Sequence, residues 1–124
     1  MNYKDMNVLT LAYLGDTIYE RYVREYLVKK GIVKVKDLQS EAINYVSARS
    51  QSKFLKDMIN QNFFNDEEIS IIMRARNHKG CAHPKNTDIV TYKHATGLEA
   101  LIGYLYLDDK QDRIDEIMKY IIGE

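Results

Sequence analysis

The sequence predicts an all-α bundle, and three observations carry that expectation. Apolar residues recur at the three-to-four spacing of an amphipathic helix through most of the chain, and no segment sustains the two-residue alternation of a strand. Hydrophobic residues make up 45% of the 124 positions, with one proline and six glycines, so helix-breaking residues are sparse. A chain of this length buries one sizeable core and has no room for a second, so residues 1–124 read as a single domain.

The first helix is expected from Asn7, a suitable N-cap, to Lys30, with Gly31 as its stop and Lys29 and Lys30 favourable at the negative end of the dipole. From Lys36 to Asn62 the pattern is that of one broken helix or two short ones. Asp37 and Ser47 are its candidate caps, the break falls near Ser47, and Leu38, Ile43, Val46, Phe54, Leu55, Met58 and Ile59 form its buried set. Asn65 followed by Asp66, Glu67 and Glu68 is a helix start with acids in the first turn. Arg74 and Arg76 suit the other end, near Asn77. Residues 78–88 hold a glycine, the proline and no apolar period, which predicts a loop. Helices over Ile89–Leu107 and Lys110–Ile122 complete the bundle.

Eighteen basic and eighteen acidic residues cancel, so overall charge neither favours nor excludes a nucleic-acid partner. The single Cys81 excludes an internal disulfide framework, and the first residues lack the apolar stretch of a signal peptide. The longest apolar run, Leu98 to Leu107, is interrupted by Glu99 and is about half the roughly 20 residues of a membrane span. A soluble cytoplasmic protein without a membrane partner is expected.

Two acids break the apolar faces. Asp16 shares a helical face with Leu9, Ala12, Tyr19, Val23 and Leu27, and Glu99 shares one with Tyr92, Ala95, Ile102 and Tyr106. Both are therefore expected to point inward, where an unpaired carboxylate is strongly disfavoured. Glycine inside a helix costs about 1 kcal/mol against alanine. Yet Gly15 adjoins Asp16, and Gly97 and Gly103 bracket Glu99, which points to a close approach of two helices or of a helix to a ligand. Glu20, one turn beyond Asp16, extends the acidic strip as a supporting acid. Two readings remain open on spacing alone. The acids are satisfied internally by arginine, tyrosine or backbone groups, or they hold a hard divalent cation, Mg²⁺ with Mn²⁺ as a substitute.

The motifs Leu11-Ala-Tyr-Leu-Gly-Asp-Thr-Ile-Tyr-Glu20, Val46-Ser-Ala-Arg-Ser-Gln51, Arg74-Ala-Arg-Asn77, Pro84-Lys-Asn-Thr-Asp88 and Thr96-Gly-Leu-Glu-Ala-Leu-Ile-Gly-Tyr-Leu-Tyr106 stand in this order along nearly the whole chain. Together they resemble the bacterial Mini-ribonuclease III branch of the ribonuclease III family, which consists of the catalytic domain without a double-stranded-RNA-binding domain. The resemblance implies an all-helical homodimer and Mg²⁺-dependent hydrolysis of double-stranded RNA to 5′-phosphate and 3′-hydroxyl ends. It also implies trimming of the 23S ribosomal RNA precursor, with a ribosomal protein on the substrate as a further partner. Asp16 matches the family's catalytic aspartate and Glu99 its metal-binding glutamate. Leu9, Ala12 and Thr96 stand where the larger enzymes carry acids, which implies a metal shell richer in water. Those absences also support the alternative of a non-catalytic rRNA-binding or assembly module, and a helical dimerisation module without RNA is a third reading.

The most basic stretch lies between Met73 and Ala95, where Arg74, Arg76, Lys79, Lys85 and Lys93 face one acid, Asp88. With Asn86 and Thr87 as further donors, it suits the phosphates and 2′-hydroxyls presented by A-form RNA, although such a cluster is also compatible with a solvated loop. Arg49 and Gln51 are additional candidates for contacting phosphate or ordering the site. His78, Cys81 and His83 lack the paired spacing of a zinc site, His94 reads as a surface residue, and Cys81 has no base partner for nucleophilic catalysis.

Overall fold

Helix α5, Ile89–Leu107, is apolar on nearly every side, and a helix of that kind is stable only when surrounded. In the computed structural model, which describes residues 2–78 and 88–123, it is the central rod. Around it pack α1 (Val8–Lys29), α3 (Ala48–Asn60) and α4 (Asp66–Arg76), with α6 (Gln111–Ile122) against one end. Helix α2 (Val35–Val46) leans on α1 and α3, and a 3-10 turn, Tyr3–Asp5, precedes α1. The described residues form no strand. No helix among them is long and apolar enough to cross a membrane. The core runs along α5, where Leu98, Leu101, Ile102 and Leu105 meet Leu11, Tyr19, Val23, Leu55, Ile71 and Ile114.

Local chemistry explains the ends of the elements. The Asn7 side chain accepts from the amides of Leu9 and Thr10, and α1 ends before Gly31, whose φ of +101° is open to glycine without strain. Ser47 closes α2 and caps α3 through the Ser50 amide, so the break falls where its hydroxyl suggested. Asn65 and Glu68 form a reciprocal capping box at the start of α4. Helix α6 ends at Gly123 in the left-handed region.

Helix α2 departs from expectation. It starts at Val35 with no side-chain cap, so Asp37 lies in its first turn and is not the cap. None of its residues is fully buried, and Ile43, expected in the core, is 59% exposed. The reason is positional: α2 packs mainly on α1 and α3 and lies outside the shell around α5.

Candidate active site

The site is set by the crossing of α1 and α5, whose backbones meet directly. A Cβ added at Gly15 would lie 1.7 Å from the carbonyl oxygen of Glu99, and one added at Gly103 would lie 2.0 Å from that of Leu11. These two glycines are the close approach that the sequence anticipates. Gly97 serves a different contact, with its Cβ direction 3.1 Å from the Ile72 carbonyl oxygen on α4.

Because Asp16 follows Gly15 directly, the crossing brings its carboxylate close enough to that of Glu99 to share a proton. Burial, and then the Asp16 carboxylate, push the Glu99 carboxyl up from its ordinary 4.5 to about 9; the Gln51 amide acts in the opposite sense, and the Glu20 charge adds to the rise. The phenol of Tyr19, fully buried below, is held well above its ordinary range by burial and then by the Glu99 charge, and its hydroxyl donates to the Tyr45 carbonyl at 2.6 Å. Such a phenol stays neutral and serves as a fixed wall of the site.

Only one of the two acids is inward-facing. Glu99 is half-buried, whereas Asp16 is exposed, which corrects the expectation that both point into the core. The buried stripe of α1 is centred on Leu11, Gly15 and Tyr19, and Asp16 falls on its flank, at the rim. Glu20 is half-buried and bridges to Arg24 at 3.2 Å, so it reaches Glu99 only through its charge.

Of the two roles expected for Gln51, contacting phosphate or ordering the site, its 2% exposure excludes the first. Its Nε2 donates to the Val46 carbonyl at 3.0 Å and to Glu99 Oε2 at 3.4 Å, so it orders the glutamate. Its Oε1 has no hydrogen-bond partner among the described residues. Arg74 is likewise committed elsewhere: its guanidinium donates to the carbonyls of Lys4 and, at 2.7 Å, Met6, pinning the N-terminal turn to α4. Arg49 and Arg76 are exposed, and Lys93 is half-buried. Lys79, Lys85, Asn86, Thr87, Cys81 and His83 lie outside the described residues. His94 is buried, not superficial, with Nδ1 3.2 Å from Ser52 Oγ.

No ion pair joins Asp16 or Glu99 to a cation among the described residues, Arg49 included, so the reading in which a guanidinium neutralises them does not hold there. Among the same residues no group of three or more His, Cys, Asp or Glu side chains is arranged to hold a metal. An exposed carboxylate at the rim beside a half-buried carboxyl, neither ion-paired among the described residues, nevertheless fits a hard divalent ion that keeps most of its water and takes one or two protein oxygens.

A model of the ribonuclease III domain matches residues 9–110, from the start of α1 past the end of α5. The chain belongs to the ribonuclease III family. The Mini-ribonuclease 3 of Staphylococcus aureus is 42% identical over 119 residues, covering 96% of this chain and 89% of that protein. That of Brevibacillus brevis is 45% identical over 113 residues, covering 91% of this chain and 83% of that one. Among solved structures, a crystal structure of a protein from Fusobacterium nucleatum is 35% identical and superposes with a TM-score of 0.84, covering 96% of this chain and 93% of that one. Family membership makes the chain a hydrolase of the endoribonuclease class.

Two signals in the sequence point to these placements. Gln51 lies on the apolar face of α3 with Leu55 and Met58, the placement of a core residue. Lys53 and Lys56 recur with Arg49 at helical spacing on the opposite face.

Proposed function

We propose that the chain hydrolyses double-stranded RNA with Mg²⁺ or Mn²⁺ at Asp16 and Glu99, acting as a homodimer, and that its natural substrate is the 23S ribosomal RNA precursor. The observation that carries this reading is the convergence of two unpaired carboxylates across the glycine-tight crossing of α1 and α5. A divalent cation held by these carboxylates supplies Lewis acidity toward a water and a phosphoryl oxygen. The rest is done by the chain. Gly15 and Gly103 set the spacing of the helices, Gln51 orients Glu99 through Oε2, and Tyr19 closes the floor against water. Attack by water on the phosphodiester leaves a 5′-phosphate and a 3′-hydroxyl.

The Mini-ribonuclease 3 names of the relatives and the family model support the reaction class. Dimerisation is supported by apolar residues left in solvent on α1 and α2: Tyr13 is 83% exposed three residues before Asp16, and Val35 and Ile43 are 66% and 59% exposed. A second copy would double the contacts to a duplex and set two cleavage centres against opposite strands. The ribosomal precursor and a ribosomal-protein helper rest on the family resemblance.

The test is direct. Purified protein is incubated with a long RNA duplex in Mg²⁺ or in EDTA. Cleavage with metal and none with chelator is the expected result, and no cleavage under either condition would sink the reading.

A further inference from the structure

Helix α3 presents two faces with different chemistry. Its inner face, through Gln51, touches Glu99 in the candidate site, and through Ser52 it meets the buried His94. Its outer face carries Arg49, Lys53 and Lys56, at positions i, i+4 and i+7 and all exposed. None of the three forms an ion pair among the described residues. They line a groove of about 250 Å³ together with Ser52, Asp57 and Thr91, the last from the first turn of α5. The Asp88 carboxylate caps α5 at this end, accepting from the Thr91 amide at 2.9 Å and the Thr91 hydroxyl at 2.8 Å.

We propose that this outer face of α3 is the track on which the RNA phosphate backbone lies as it leads to the Asp16–Glu99 pair. The proposal rests on the reading of the chain as a double-stranded-RNA nuclease, and it names surface residues that the family assignment does not. Three features favour phosphate over a protein partner. The three cations form no ion pair among the described residues of a chain whose overall charge is zero, and the acids at the groove are two, Asp57 in its lining and Asp88 bonded to Thr91. The stripe is polar and basic without an apolar anchor, which is the composition of a backbone contact and not of a protein hot spot. One helix also carries both the cations and Gln51, which touches Glu99 from the inner face, and Lys56 is ~7.5 Å along the axis from Gln51 at 1.5 Å per residue. Burial, and then the charges of Lys56 and Arg76, lower the pKa of the His94 imidazole behind the groove, against the opposing charge of Asp88.

The experiment measures binding of a fluorescently labelled RNA duplex in EDTA across a series of KCl concentrations. It compares the wild-type chain, the triple variant Arg49→Gln, Lys53→Gln and Lys56→Gln, and a control, Lys119→Gln on α6. Each lost phosphate contact should lower the log–log salt slope by about 0.9, so the triple variant should lose roughly 2–3 in slope. Its KM for duplex cleavage in Mg²⁺ should rise at least about tenfold while the rate at saturating RNA stays near wild type. The control should match wild type in both. A triple variant with the wild-type slope overturns the proposal, whether or not its affinity falls, and leaves the nuclease reading intact if wild type still binds and cleaves. A wild-type chain that neither binds nor cleaves duplex RNA at low salt removes the nuclease reading, and the proposal falls with it.

Discussion

Glu68 and Glu99 both lie against the core, yet they are treated in opposite ways. Glu68 is 2% exposed and fully compensated: it accepts from the Asn65 amide at 2.9 Å and takes a two-pronged contact from Arg113 at 2.8 and 2.9 Å. Arg113 is itself braced by the Phe63 carbonyl at 2.6 Å and the Phe63 ring at 4.5 Å. Glu99 instead faces a second carboxylate and receives one amide contact of 3.4 Å. Burying a charge is tolerated when partners answer it; a half-buried carboxyl beside a second acid, with no cation among the described residues to answer it, holds a proton instead and suits a place where a ligand supplies the missing charge. The contrast teaches that burial alone does not mark a functional acid in this fold. The absence of a partner does.

Substitutions can break this comparison at either end. The largest effect is expected at the unanswered pair: Asp16→Asn or Glu99→Gln should reduce duplex cleavage by more than about 10²-fold while helix content and RNA binding persist. Full activity of either variant rejects the assignment. At the answered acid the loss should be in stability. Arg113→Leu leaves the Glu68 carboxylate buried and unpaired, and should cost about 3 kcal/mol in urea unfolding with cleavage by the folded fraction unchanged. Gly15→Ala or Gly103→Ala must separate the α1 and α5 backbones. Each should destabilise by roughly 2–3 kcal/mol and also impair cleavage, because Glu99 moves with α5. Impairment at Gly97, which faces α4, should be milder in both respects.

The last expected effect is in pH dependence. The carboxyl of Glu99 is raised in the folded chain from 4.5 to about 9, so between these values the native state holds a proton that the unfolded state has released. Stability of the metal-free protein should therefore fall as pH rises through this window. Glu99→Gln should flatten the profile and raise the stability and Tm of the metal-free protein at pH 8. Added Mg²⁺ should stabilise wild type at pH 8 and leave Glu99→Gln unchanged, since only a species that binds the native state shifts the equilibrium. Thermal melts with and without the ion decide this; a profile that rises with pH in the metal-free wild type would contradict the arrangement of the two acids.

Much of the fold can be read from local rules. The caps at Asn7, Ser47 and Asn65, the stop at Gly31 and the apolar run of α5 each act over a few residues, and each works in the structure as elementary chemistry requires. Periodicity was less informative for α2, because an amphipathic pattern reports which face is apolar and not how much neighbouring structure there is to cover it. His94, expected at the surface, is buried, and for Gln51 only the site-ordering role survives: a polar side chain at a core position is disclosed only when its partner, Ser52 or Glu99, arrives from another helix.

The sequence by itself determined that the chain is helical, where most helices begin and end, and that Gly15 and Gly103 mark a backbone contact beside two acids, because propensity, capping and periodicity are short-range. Only tertiary structure decided that Asp16 stands at the rim while Glu99 lies half-buried, that Gln51 serves Glu99, and that Glu68 is silenced by Arg113. Those outcomes depend on which charges and dipoles meet across helices more than forty positions apart, and Coulomb and desolvation energies are set by that three-dimensional distance.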